Sequence, residues 1–270
     1  MPTRLLAIDI DGTLLTSERV PHPLNIEAIR RAQENGITVV LASGRIASSI
    51  RKFSDELGLD GAMICSNGAH VQGNHGVELL HVDLGEQAKN LTLDYTAEVG
   101  VHVSAYTRDE LFFVGESKWC EIYRQRVRTV MPEITTAEHV RQMQLLKLIL
   151  IDEPENIQRH RRALEGILTT DLAAMTESEP DYLEVLSPKA NKGLGLQVLS
   201  ESLGILQAET AAIGDYLNDL EMIQWAGIGG AMGNALDEVK AVANVRVPTN
   251  NEAGVARFID YLIEQNEREA

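Results

Sequence analysis

Short apolar runs alternate with longer amphipathic stretches near the start of the chain. The runs Leu5–Ile10, Ile37–Ala42 and Ala62–Cys65 have the length and composition of buried strands. Between them, Leu24–Asn35 and Ile46–Leu57 place apolar residues mostly at helical spacing, and a glycine follows each stretch as a stop signal. Strands that alternate with helices predict right-handed crossovers and a parallel sheet.

The middle of the chain has more strands for each helix. Strands are predicted at Val77–Val82, Val101–Ala105, Leu111–Val114, Leu146–Ile151 and Tyr182–Leu186. Helices are predicted at Glu86–Glu98, Trp119–Val130 and Asn156–Leu168. Strands in such close succession favour an α+β module with an antiparallel sheet.

The alternation of strands and helices seen near the start of the chain returns after Asn191. Helices are predicted at Gly193–Leu203, Leu217–Trp225 and Val255–Ile263, and strands at Thr210–Gly214, Gly227–Met232 and Val245–Val247. We therefore predict an α/β protein with a Rossmann-like, doubly wound parallel sheet. Residues 1–82 and 188–270 would form this core, and residues 83–187 an inserted α+β domain.

Composition narrows the range of partners. Among 270 residues, 40 are acidic and 24 are basic, which gives a net charge of −16. This balance argues against binding nucleic acid or anionic membranes, although a local site can still hold a small anion. The two cysteines, Cys65 and Cys120, are isolated, and no apolar run has the length of a signal peptide or a membrane span. We expect free thiols and a cytoplasmic location.

Acidic residues cluster where two predicted strands end. Asp9 and Asp11 follow the first strand and project to the same side, because residues i and i+2 of an extended chain share a face. Asp215, Asn218 and Asp219 follow a later strand. Such oxygen ligands suit Mg²⁺. The alternative is that these residues cap loops and helix starts, and both interpretations can hold together.

Two further segments suit an anion. Ser43, Gly44 and Arg45 lie between a strand and a helix, where backbone N–H groups are available. Lys192 precedes a predicted helix, although most lysines are simply solvated. The nucleotide-binding pattern Gly-x-Gly-x-x-Gly is missing after the first strand, which argues against a dinucleotide-dependent oxidoreductase.

In this order, Asp9-Ile10-Asp11-Gly12-Thr13, Ser43-Gly44-Arg45, Lys192 and Gly214-Asp215-Tyr216-Leu217-Asn218-Asp219 resemble the motifs of the haloacid dehalogenase-like (HAD) phosphohydrolases. The segments Ser66–Ala69 and Ala231–Ala235 resemble the Cof-type subfamily, which carries a large inserted cap (type IIB). The resemblance covers nearly the whole chain. It implies a phosphoric monoester hydrolase that acts on small phosphorylated metabolites, and a cap that closes over the phosphate and excludes water.

The resemblance also implies roles for individual residues. Asp9 would be the nucleophile that forms an aspartyl-phosphate, and Asp11 the general acid and base. Mg²⁺ would be held by Asp9, the backbone carbonyl of Asp11, and Asp215, with Asp219 near the metal through water. Ser43 and Lys192 would bind the phosphoryl group.

The remaining implied roles are less specific. Backbone N–H groups around Gly44 would add donors for the phosphate. Asn218 would contact the phosphate or orient Lys192. Arg45 would touch substrate or pair with an acid, and Asn67 would contact substrate or serve as a turn residue.

Several alternatives stay open. A phosphomutase can use the same scaffold, and so can a non-catalytic protein that binds phosphometabolites. Sugar phosphates and cofactor phosphates both remain plausible substrates, and the oligomeric state is undetermined. Tyr216 and Gly230 depart from the usual subfamily pattern. Residues of the insertion considered for specificity, most of them expected in its core, are Tyr106, Phe112, Phe113, Lys118, Trp119 and Tyr182.

Overall fold

The computed structural model describes residues 1–126 and 130–269. In this part of the chain the strands are β1 (Leu5–Ile8), β2 (Thr38–Ala42), β3 (Met63–Cys65), β4 (His70–Gln72), β5 (Glu78–His81), β6 (His102–Tyr106), β7 (Leu111–Val114), β8 (Glu133–Thr135), β9 (Lys147–Ile151), β10 (Ala174–Thr176), β11 (Tyr182–Leu186), β12 (Thr210–Gly214), β13 (Ile228–Ala231) and β14 (Val245–Arg246). The helices are α1 (Pro23–Glu34), α2 (Ala47–Glu56), α3 (Glu86–Val99), α4 (Lys118–Arg126), α5 (Ala137–Arg141), α6 (Pro154–Glu165), α7 (Lys192–Ser202), α8 (Leu220–Trp225), α9 (Asp237–Val242) and α10 (Gly254–Glu269).

The first sheet takes its strands from both ends of the chain, in the order β14-β13-β12-β1-β2-β3-β4-β5. Neighbouring strands from β14 to β3 pair in parallel, which confirms the predicted α/β core. The β3–β4 and β4–β5 pairs are antiparallel, a feature that we did not predict. A short turn at residues 66–68 joins β3 to β4, and a connection without a crossover element gives antiparallel strands.

The second sheet has the order β10-β11-β9-β6-β7-β8 and is antiparallel except for the β7–β8 pair. Its strands all lie between residues 102 and 186. This membership is compatible with an inserted domain at 83–187, whose limits remain a prediction. Alternate residues of each strand point to opposite faces. One face packs with α3 and α6, and the other carries Tyr106, Ile149 and Tyr182 beside Ile46 of the first domain.

Short elements were the ones we failed to predict. Strands β4, β8 and β10 have three residues each and α5 has five, which is too little sequence for a period to be recognised. The predicted helix Trp119–Val130 is observed as α4, and its residues 127–129 lie outside the described part of the chain. Cys65 and Cys120 are free thiols, as expected, and both are buried. Across the described residues, no helix is both long enough and apolar enough to cross a bilayer.

The glycine at position 230 has a packing explanation. Phe258 of α10 is fully buried, and its ring fills the space beside Gly230 in β13. A Cβ atom at position 230 would lie 2.8 Å from ring atom Cε2 of Phe258. The missing side chain therefore makes room for the ring.

We expect Gly230→Ala to lower the free energy of unfolding by about 1–3 kcal/mol, because the added methyl group overpacks this contact. Urea unfolding of Gly230→Ala, Phe258→Leu and the double variant measures the coupling between the two sites. The double variant should be more stable than the sum of the single effects. Additive effects would contradict the proposed contact.

Candidate active site

The carboxyl ends of three neighbouring strands define the site. Ile8 of β1 is in register with Ile213 of β12 and with Leu41 of β2. Residues that follow these strands therefore meet at one edge of the sheet, where parallel α/β sheets bind their ligands. Asp9 follows β1, and Asp215 follows β12.

Three carboxylates and one ammonium group meet at this edge. Oxygen atoms of Asp9, Asp215 and Asp219 all lie within 4.8 Å of one another. Lys192 is fully buried, and its Nζ donates to Oδ1 of Asp9 and to Oδ1 of Asp219, both at 2.6 Å. The fold thus brings together acids from two strand ends and a lysine from the start of α7.

This cluster has more negative than positive charge. Burial and the neighbouring Asp219 raise the pKa of Asp9 to about 7, although Lys192 lowers it. Burial and Asp9 raise the pKa of Asp215 well above its usual range. Burial opposes the charge on Lys192, but Asp219 and Asp9 raise its pKa above the ordinary value. A buried set of hard oxygen donors with surplus negative charge fits a divalent cation such as Mg²⁺.

Two neighbouring side chains hold Asp215 in place. The Thr13 hydroxyl donates to Oδ1 of Asp215 at 2.9 Å, and Nδ2 of Asn234 donates to Oδ2 of Asp215 at 3.4 Å. Gly12 has φ +81°, and a Cβ at this position would lie 2.3 Å from Asp215 Oδ2. Only glycine satisfies both the backbone conformation and the space. Thr13 and Asn234 lie within the sequence motifs that resemble the HAD family, but we did not predict them as site residues.

Asp11 forms a separate group with two arginines. Arg45 donates from Nε to Oδ2 and from an Nη atom to Oδ1 of Asp11, both at 2.7 Å. Arg19 donates to Asp11 Oδ1 at 2.9 Å and, with another N–H, to Glu179 at 3.0 Å. Burial alone would raise the pKa of Asp11, but Arg45 and Arg19 bring it below the usual range. Of the two roles left open for Arg45, the geometry favours pairing with an acid. Arg19 was not predicted.

Asn67 and Asn218 form a chain of hydrogen bonds toward the second sheet. Nδ2 of Asn218 donates to Oδ1 of Asn67 at 3.0 Å, and Nδ2 of Asn67 donates to Glu184 at 2.8 Å. Asn67 has φ +55°, so it is a turn residue whose side chain also enters the site. Ser43 is buried, and its hydroxyl accepts the Arg45 backbone N–H at 3.2 Å. Gly44 lines the same cleft as Ser43 and Asn218.

A cleft lies between this edge and the second sheet. Tyr106 and Tyr182, two of the residues considered for specificity, line it. Phe112, Phe113 and Trp119 pack in apolar clusters, and Lys118 is exposed and pairs with Glu153. Cleft residues that we did not predict include Tyr123, Lys147 and Glu184. A sequence signal existed for the last two, because each is a charged residue within an apolar strand pattern.

Comparison with known proteins identifies the family. A family model described as haloacid dehalogenase-like hydrolase matches residues 6–259. The chain belongs to the haloacid dehalogenase-like hydrolases.

Individual relatives share this family over nearly their whole length. YxeH of Bacillus subtilis (strain 168) is 33% identical over 266 residues, covering 96% of this chain and 98% of YxeH. The pyridoxal phosphate phosphatase YbhA of Escherichia coli (strain K12) is 31% identical over 271 residues, covering 96% of this chain and 98% of YbhA. The HAD subclass IIB sugar phosphatase BT4131 has the same fold, with a TM-score of 0.87, 20% identity and coverage of 96% of this chain and 98% of that chain.

These findings confirm the predicted family and the predicted enzyme class, a phosphoric monoester hydrolase of the HAD type. Tyr216 is one of the two residues that depart from the usual subfamily pattern. This half-buried tyrosine follows Asp215, and its backbone N–H donates to Asp219 at 3.2 Å. Burial and the nearby carboxylates of Glu177 and Glu179 raise the pKa of its hydroxyl to about 12.

We expect Lys192→Met to lower the free energy of unfolding by about 3–5 kcal/mol at pH 8 in chelator, because buried carboxylates lose their counter-charge. The deficit should shrink at pH 6, since protonated carboxyls no longer repel one another. Urea unfolding measures both effects. Lys189→Met, which removes an exposed lysine, is the matched control and should unfold like wild type. Equal stability of the Lys192 and Lys189 variants would contradict the role of the buried ammonium.

Proposed function

We propose that this protein is a Mg²⁺-dependent phosphatase of small phosphorylated metabolites, acting through an aspartyl-phosphate on Asp9. One observation carries the proposal. Asp9 lies at the carboxyl edge of the core sheet, 2.6 Å from the Lys192 ammonium and next to two further buried carboxylates. This is a carboxylate nucleophile beside the positive charge that attack on a phosphate dianion requires.

The reaction would proceed in two steps. A carboxylate oxygen of Asp9 attacks phosphorus, the bond from phosphorus to the leaving oxygen breaks, and Asp11 gives that oxygen its proton. Water then attacks the aspartyl-phosphate and passes a proton to Asp11, which releases phosphate and restores Asp9. The arginine pairs of Asp11 favour its carboxylate form, which suits the second step. A dianionic phosphate nearby raises the pKa of Asp11, which suits the first.

Asp9, Asp215 and the backbone carbonyl of Asp11 would hold Mg²⁺, with Asp219 behind them through water. When bound, the ion supplies positive charge that offsets repulsion between the nucleophile and the ester. Ser43, the N–H groups around Gly44, Lys192 and Asn218 would bind the phosphoryl oxygens. In their present positions, Ser43, Gly44 and Asn218 all line the cleft above Asp9.

The relatives support a small organic leaving group. YbhA is named for pyridoxal phosphate and BT4131 for sugar phosphates, so cofactor phosphates and sugar phosphates both belong to the proposed range. The cytoplasmic location remains a prediction.

We expect Asp9→Asn to lower phosphate release by more than about 10⁴-fold while the protein stays folded, because an amide is a poor nucleophile. The assay measures inorganic phosphate released from a panel of phosphate monoesters, with Mg²⁺ and with chelator. Asp60→Asn, which changes an exposed acid, is the control and should keep full activity. Isomer formation without free phosphate would instead indicate a phosphomutase. Wild-type rates from folded Asp9→Asn would exclude Asp9 as the nucleophile.

We expect Ca²⁺ to inhibit when it replaces Mg²⁺. Its larger and looser coordination shell accepts both oxygens of one carboxylate, which would occupy the attacking oxygen of Asp9. Phosphate release is measured while Ca²⁺ is titrated against fixed Mg²⁺, and excess Mg²⁺ should restore the rate. Full activity with Ca²⁺ alone would count against the proposed position of Asp9.

A further inference from the structure

The cleft contains a second buried ion pair, on the opposite wall from Asp9. Lys147 of β9 is in register with Leu186 of β11, so Glu184, two residues earlier in β11, lies diagonally across on the same face. Nζ of Lys147 donates to Oε2 of Glu184. Their side chains are 1% and 0% exposed, and both residues line the cleft. Charged residues are rarely buried this fully unless they are paired.

The carboxylate of this pair is already satisfied by protein groups. Asn67 donates to Oε2 of Glu184 at 2.8 Å, and the Ser178 hydroxyl donates to Oε1. With Lys147 added, these contacts come from both sheets and from the loop before β11. Glu184 therefore holds the lysine in position and has little capacity left for a ligand.

Lys147 has donor capacity left over. Its ammonium carries three N–H groups. Among the described residues, its contacts are the Glu184 carboxylate and the face of the Tyr106 ring, whose centroid is 4.7 Å away. A Cβ placed on Gly44 would lie 3.3 Å from Nζ, so the ammonium stands directly above the loop proposed to bind phosphate. An acceptor atom on the leaving group of a bound ester would meet the Lys147 ammonium.

The surrounding wall is largely apolar. Tyr106, Tyr123 and Tyr182 line it together with Leu111 and Ile149, and all five are buried. Such walls suit a planar ring, which packs against aromatic faces.

The cationic side chains nearest to this wall have partners already. Arg45 and Arg19 both bind Asp11, and Arg19 also binds Glu179. Within the described part of the cleft lining, Lys147 is the cationic group whose partner, Glu184, belongs to this wall, and it is placed to meet the leaving group.

We propose that Lys147, held by Glu184, is a specificity-determining residue that donates to an acceptor atom of the leaving group, and that the preferred substrate is the phosphate monoester of a planar heteroaromatic alcohol. This inference rests on the proposed phosphatase function. It narrows the substrate class that the family and the sequence leave open.

The test compares two esters with wild type and two variants. Pyridoxine 5′-phosphate carries ring acceptors and no aldehyde that could react with lysine. Benzyl phosphate has the same methylene phosphate on an aromatic ring without those acceptors. The variants are Lys147→Met and the double variant Lys147→Met/Glu184→Gln, in which glutamine keeps an acceptor for Asn67 and leaves no unpaired buried charge. Lys189→Met is the control.

We expect both variants to lose about 10–100-fold in kcat/KM for pyridoxine 5′-phosphate, as expected for a lost charged hydrogen bond, and less than about 3-fold for benzyl phosphate. Should Lys147→Met fail to fold, the double variant decides. An equal fall in kcat/KM for both esters would show that the ion pair only supports the structure. Unchanged kcat/KM values for both esters would show that Lys147 does not contact the ring. Either result overturns the inference.

A wild-type preference for glucose 6-phosphate over both aromatic esters would overturn the proposed substrate class while the phosphatase function stands. Absence of phosphate release from every ester by wild type would overturn the phosphatase function and this inference together. The failure of the inference alone is therefore distinguishable from the failure of the function.

Discussion

The buried ammonium of Lys192 is the contact on which the site depends. It lies between Asp9 and Asp219 at 2.6 Å from each, in a pocket that also contains Asp215. Without this positive charge, three carboxylates so close together would not stay ionised in a buried setting. With it, the cluster keeps enough negative charge to attract a divalent cation. The same lysine starts α7, so the helix that covers β3 to β5 also delivers the central charge of the site.

Polar contacts also connect the segment that contains the second sheet with Asn218 and Asp11, two of the predicted site residues. Asn67 links Asn218 to Glu184, and Arg19 links Asp11 to Glu179. A movement of the inserted segment would therefore act directly on the groups proposed to bind phosphate and to transfer protons.

Two glycines determine how closely neighbouring segments of the site approach one another. Gly12 lets the loop after β1 pass against the Asp215 carboxylate, and Gly44 lets the loop after β2 lie next to Lys147 and Glu184. A side chain at either position would separate groups that must be within hydrogen-bonding reach. The site is therefore shaped by missing side chains as well as by charged ones.

The sequence by itself determined the parallel core sheet and most of the longer elements, and its strand-end motifs marked Asp9, Asp11 and Asp215 as candidate site residues. These features are local, because periodicity and strand-end motifs involve residues a few positions apart. Lys192 was singled out only by the resemblance to the family. The tertiary structure alone decided that Arg45 pairs with Asp11, that β4 and β5 form an antiparallel edge, and that Lys147 and Glu184 face the same cleft as Asp9. Asn67 and Glu184 are 117 positions apart, and no local pattern specifies such a contact. Sequence patterns report which face of an element is buried, whereas the packing of two sheets decides what that face meets.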